Sequence, residues 1–148
     1  MLLGIGLGGF FDGIVLHQVL QWHHLVSTPA PPDTLARLEL NTFFDGLFHL
    51  ATWIVTVVGV LVLASSNGAR HEPGGGRSLA GGMIAGWGGF NLVEGIVDHH
   101  LLNLHHVRPG PDELAWDLAF LAWGVLMAVG GAMLVRSASG GAAVAASG

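Results

Sequence analysis

The sequence predicts an all-α integral membrane protein, a four-transmembrane-helix bundle built from two tandem helical-hairpin repeats. Three observations predict it. The chain of 148 residues is 51% apolar and only 10% charged, with a mean hydropathy of +0.61, whereas a soluble domain carries about 25% charged residues. Four stretches reach the ~20 helical residues that cross a hydrocarbon core of about 30 Å. One histidine-rich motif occurs twice, once in each half of the chain.

The spans fall at 2–26, 35–64, 79–104 and 114–135. The first begins Met1-Leu2-Leu3-Gly4, with neither a basic n-region nor a small-residue cleavage site, and reads as a retained helix. Loops rich in Pro, Gly and Ser join the spans at 27–33, 65–78 and 108–112. Residues 1–136 thus form one transmembrane domain, with repeat one at 2–64 and repeat two at 79–135. The Gly, Ala and Ser tail at 137–148 is expected to be disordered.

Aligning Asp12 with Glu94 pairs Gly13 with Gly95, Ile14 with Ile96, Val15 with Val97, His17 with His99, Leu20 with Leu102, His23 with His105 and His24 with His106, without a gap. Each His-His pair is followed by a Pro-rich loop ending in Asp33 or Asp112, then by a second helix carrying Asp45 or Asp117. A repeat of two spans sends equivalent helices the same way, so an axis along the membrane normal brings equivalent side chains together at one depth. Arg70, Arg77 and Arg136 lie on one side, against Arg37 and Arg108 with their acidic neighbours on the other. This places both termini in the cytoplasm of a bacterial inner membrane.

Composition also excludes chemistry. With no cysteine, lysine or tyrosine, thiolate metal sites, Schiff bases and tyrosyl radicals are ruled out, and any metal must be held by nitrogen and oxygen. A net charge of −5 supplies no phosphate-binding surface, which excludes nucleic acid as a partner.

Inside or at the edges of the spans sit Asp12, His17, His23, His24, Asp45, His49, Glu94, Asp98, His99, His100, His105, His106 and Asp117. An acid near the centre of a membrane helix costs at least ~2.5–3.5 kcal/mol, so such residues face the bundle interior and mark function. On α-helical spacing His17, Gln21 and His24 share a stripe, as do His99, Asn103 and His106. Asp12, Leu16 and His23 fall on a neighbouring stripe, and so do Glu94, Asp98 and His105. Asn41, Asp45 and His49 stack at i, i+4, i+8, the spacing that presents two ligands, or a ligand and its orienting partner, on one face. Imidazoles and carboxylates converging in a four-helix bundle fit one or two transition-metal ions, and the donor set admits copper, iron or zinc. The competing reading of the same groups is a hydrogen-bonded network joining the helices. His23, His24, His105 and His106 are also placed where imidazoles would snorkel into headgroups. His71 is unrelated to the cluster. The glycine runs around Gly8 and Gly88 read as close-packing stripes, and Trp22, Trp53, Trp87, Trp116 and Trp123 as packing or interfacial anchors.

The strings from Gly9 to His24 and from Asn91 to Arg108, with Asp45-Gly46-x-Phe48-His49 between them, resemble a bacterial family of small membrane proteins that carries only a domain-of-unknown-function label. The likeness covers nearly the whole chain apart from the tail. It implies a four-helix inner-membrane protein and, through association with the assembly of copper-dependent oxidases, copper as the metal. The Asp45-x-x-x-His49 step is also similar to the copper-binding step in the membrane C subunit of particulate methane monooxygenase.

These readings lead to a membrane metalloprotein with redox or oxygen chemistry at a buried His/carboxylate site, copper favoured. Handling of a metal or its delivery to a membrane oxidase without catalysis, a b-type haem held by His17 and His99, and a proton relay without metal stay open. Exposed glycine faces permit a homo-oligomer.

Overall fold

The computed structural model describes residues 1–66 and 74–146, with side chains through Ala138. Arg70 and His71 lie outside the described residues, as do the last two of the tail. All regular structure among the described residues is helical. Helix α1, Leu2–Phe11, runs without a break into a π-helical segment, Asp12–Val19. Helix α2 spans Leu35–Ser65. Helix α3, Gly75–Glu94, continues in the same way into a π-helical segment, Gly95–Leu101. Helix α4 spans Glu113–Ala146, and so carries on into the stretch expected to be disordered, where alanine, the best helix former, favours continuation.

Three helical stretches are long and apolar enough to cross a membrane: Leu2–Val19, Leu35–Ser65 and Glu113–Ala138. The α3 stretch is as long, but its glycines, Asn91 and Glu94 dilute its apolar content. Two expected spans also end early, at Val19 and Leu101 rather than at 26 and 104. Beyond them Gln21 and Asn103 adopt positive φ angles of 49° and 50°, and a left-handed residue ends a helix by reversing the chain. His23, His24, His105 and His106 are therefore loop residues, and the helical stripes drawn through them do not exist.

The helices form a chain of contacts in which α1 packs on α2 and α3, and α3 packs on α4, with no direct contact between the backbones of α1 and α4. Glycine permits the close crossings. A Cβ at Gly4 would strike the carbonyl of Met83, and one at Gly88 would strike the α4 backbone at Ala128 and Gly124. The molecule is apolar outside and polar inside. Among the described residues the fully buried large side chains are His17, His99, His105, Asn41, Asp45 and Asp117, whereas Leu, Val, Trp and Phe side chains such as Leu61, Trp53 and Leu126 are exposed. In water that distribution would be unstable. In lipid it is the distribution that intramembrane polar groups require.

Candidate metal centre

The two π-helical segments position the site. In an α-helix five residues span more than one turn by 140°, so Asp12 and His17 would point apart. In an i→i+5 helix residues five apart come onto one face, and Asp12 Oδ2 lies 3.0 Å from His17 Nε2. Glu94, the last residue of α3, and His99 in the second segment have the same separation. The loops that follow fold back into the bundle and deliver His23 and His105, which are buried with their rings parallel, 4.5 Å apart and 9° from coplanar.

Three of the four buried imidazoles are held by the nitrogen that faces away from the centre, and neither nitrogen of His99 makes a hydrogen bond. His17 Nδ1 donates to Asp45 Oδ1 at 2.9 Å. His23 Nδ1 donates to the carbonyl of Val107 at 2.8 Å, and His105 Nδ1 to the carbonyl of Leu25 at 3.1 Å. His99 Nδ1 lies 3.3 Å from Asp117 Oδ1. With Nδ1 anchored, the lone pair of Nε2 in His17, His23 and His105 faces inward, and these atoms have no hydrogen-bond partner. Asp12 Oδ2 and Glu94 Oε2 are equally without one. Although Asp12 Oδ2 and His17 Nε2 are close, their alignment is not that of a hydrogen bond.

Three overlapping sets of ligand atoms lie within 4.8 Å of one another: His17, His23 and His105; Glu94, His99 and His105; Asp12, His17 and Glu94. Every member is buried. Two carboxylates at this spacing repel unless a cation or a proton stands between them. Among the described residues no arginine pairs with Asp12, Glu94, Asp45 or Asp117; their ionic contacts are all to histidine. Burial and the neighbouring imidazoles hold His105, which lies beyond the helical span, well below the usual histidine range. Burial likewise pushes His23 down to about 4, against the pull of Asp12. These two rings are neutral at neutral pH, the state in which imidazole binds metal.

Outside the cluster lies a supporting layer. Asp45 also accepts from His24 Nδ1 at 2.7 Å, from the Leu25 amide at 2.9 Å and from Gln18 Nε2 at 3.2 Å. Asp117 accepts from His106 Nδ1 at 2.7 Å and from the Val107 amide at 3.0 Å. Phe48 stacks on His17 with ring centroids 5.6 Å apart, and Phe120 tilts against His99 at 5.5 Å. These rings cover the cluster from α2 and α4.

A family described as "Predicted membrane protein (DUF2243)" matches residues 1–138. The chain belongs to that family. No curated protein and no solved structure matches it.

The structure thus divides the candidate residues. Asp12, His17, His23, Glu94, His99 and His105 fall into three overlapping sets of possible ligands. Asp45, Asp117, His24 and His106 stand behind them as orienting partners. Three others stand apart from the convergent sets. His49 is half-buried beside Gly13 and stacks near Phe10 and Phe48, Asp98 is half-buried, and His100 is exposed. The expected snorkelling of the His-His pairs does not occur, since His23 and His105 are buried and His24 and His106 are largely so. Sequence reasoning missed the carbonyls of Leu25 and Val107, for which a side-chain pattern carries no signal. It also missed Phe48 and Phe120, whose shared place three residues after Asp45 and Asp117 was visible.

Proposed function

We propose that this is a multi-pass metalloprotein of the bacterial inner membrane whose buried cluster holds one or two transition-metal ions and performs redox or oxygen chemistry. The observation that carries the reading is the set of inward imidazole nitrogens, each fixed by a bond on the opposite nitrogen to a carboxylate or carbonyl. That arrangement fixes tautomer and ring orientation and is the usual support of a metal-binding histidine. Nitrogen and oxygen donors suit copper, iron and zinc alike, with copper the metal carried forward from the sequence. The ligand sets share His17, His105 and Glu94, which favours two ions side by side over one. The chain then crosses the bilayer four times as two hairpins, with both termini on the cytoplasmic side.

The closed cluster speaks against a conduit, whose ligands would be strung along the membrane axis. It also speaks against haem. The His105 ring lies 5.7 Å from His17 and 4.8 Å from His99, so it fills the space a porphyrin between those two would need.

Elemental analysis of detergent-purified protein tests the proposal. Wild type is expected to retain metal after desalting, and His23→Ala with His105→Ala to lose most of it. Asp98→Asn, outside the ligand sets, retains the wild-type content and shows that the preparation is sound. Metal-free wild type, or equal metal in the double variant, would refute the assignment.

A further inference from the structure

Because α1 and α4 both pack on α3 but not on each other, a cleft remains between them, and it is a cavity of 490 Å³. Its walls are aromatic: Phe11, Trp22, Trp87, Trp116, Phe120 and Trp123. At the loop end Trp22 and Trp116 meet at 5.4 Å, with the Arg108 guanidinium over both rings at 5.3 and 5.7 Å. That end is roofed. Toward lipid the walls are open, with Phe11 46% and Trp123 56% exposed. On the opposite flank, where α2 and α3 are likewise out of backbone contact, Phe48 and Phe90 close the gap at 6.1 Å.

Two polar residues interrupt this apolar wall, Asp12 and Asn91. Both are buried, at 2% and 3% exposure. Asp12 Oδ2 is turned to His17 Nε2 at 3.0 Å, whereas the Asn91 side chain makes no hydrogen bond within the described residues. An unpartnered amide in an apolar wall is costly unless a ligand meets it. The amide oxygen accepts and the NH₂ donates, and a hydroxyl, which both gives and takes a proton, satisfies either. Flat walls of indole and phenyl rings favour a flat ring beside that hydroxyl, and the volume is that of a small-molecule pocket.

We propose that the cavity is the binding site for a lipid-soluble phenol or quinol, its ring between the tryptophans and its hydroxyl on Asn91. The ligand reaches the site from the bilayer through the cleft between α1 and α4. Since Asp12 belongs both to this wall and to the ligand sets, the bound hydroxyl lies beside the cluster. The assignment itself stands on the cavity and does not require a metal.

Four of the five tryptophans line the cavity, so their emission reports occupancy. The full chain in lipid nanodiscs is titrated with para-heptylphenol and, in parallel, with heptylbenzene, which lacks only the hydroxyl. Saturable binding is expected, about tenfold tighter for the phenol, which corresponds to about 1.4 kcal/mol. Asn91→Leu is expected to abolish that preference while keeping heptylbenzene binding. Ala119→Phe, which fills the cavity from its α4 wall, is expected to weaken both ligands at least about tenfold. A non-saturating response, equal affinity of phenol and alkylbenzene for wild type, or wild-type affinity in Ala119→Phe would each overturn the proposal. Metal content measured on the same sample separates this result from the metal reading, because loaded protein without phenol binding defeats only the present inference.

Discussion

Asp45 anchors four groups at once, the rings of His17 and His24, the Leu25 amide and the Gln18 amide, and so ties the first π-helical segment, the loop after it and α2 to one carboxylate. Asp45→Asn keeps the shape but replaces an oxygen acceptor with a donor, so at least one imidazole must let go. Metal affinity, measured by competition with chelators of graded strength, is expected to fall roughly 10–100-fold; wild-type affinity would show that Asp45 orients nothing. The spacing of Asp45 in the sequence identified its face but suggested His49 as its neighbour. Periodicity says which residues share a face of one helix and is silent about which loop returns to meet it. Acidity acts on the loop histidines. The folded chain keeps His23 neutral down to about 4 while an unfolded one titrates near 6.5, so across that window the unfolded state binds more protons. Stability present above pH 6.5 is therefore lost as pH falls toward about 4. Thermal unfolding of metal-free protein is expected to show a falling midpoint over that range, and His23→Gln a flatter dependence.

At the level of elements, the π-helical segments separate the observed site from the expected one. The acid and histidine ligands were legible as residues, because ionisable groups in apolar spans stand out. Their geometry was not, because every stripe was drawn at 3.6 residues per turn. The clue lay in the five-residue step from acid to histidine, Asp12 to His17 and Glu94 to His99, which makes sense only in the wider helix. Inserting an alanine after Val15 would put Asp12 and His17 six residues apart and turn Asp12 away from His17 in either kind of helix. Metal content is then expected to collapse while helicity by circular dichroism changes little; retained metal would show that the five-residue step is dispensable. The glycine runs were legible as close-packing stripes, but not which helix each would meet: Gly6 meets α2 and Gly88 meets α4. Gly88→Leu forces a side chain into the α4 backbone, and overpacking of this kind costs about 1–3 kcal/mol. A lower unfolding midpoint in detergent checks it.

For the whole molecule, the apolar surface and polar interior identify lipid as the solvent, and composition alone sufficed for that. The number of crossings is a harder matter. The α3 stretch buries a glycine-rich face against α1 and α4 and ends in Glu94, Asp98 and His99, so hydropathy undervalues it, as it undervalues any span whose polar residues face protein rather than lipid. A chain without cysteine allows a direct measurement by single introduced cysteines and a membrane-impermeant maleimide. With four crossings, Ser66→Cys and Ser137→Cys react from one face, Thr28→Cys and Asp112→Cys from the other. If α3 instead lay along the interface, Asp112 would join Ser66 and Ser137 would change sides. The cluster makes the first outcome the expected one. His23 and His105 stack directly on each other, and each bonds to the carbonyl that follows the other's His-His pair, so the loops after α1 and α3 must lie at the same depth. Loops at one depth, each at the end of a helix that packs against the other, are what α1 and α3 running the same way through the bilayer would give.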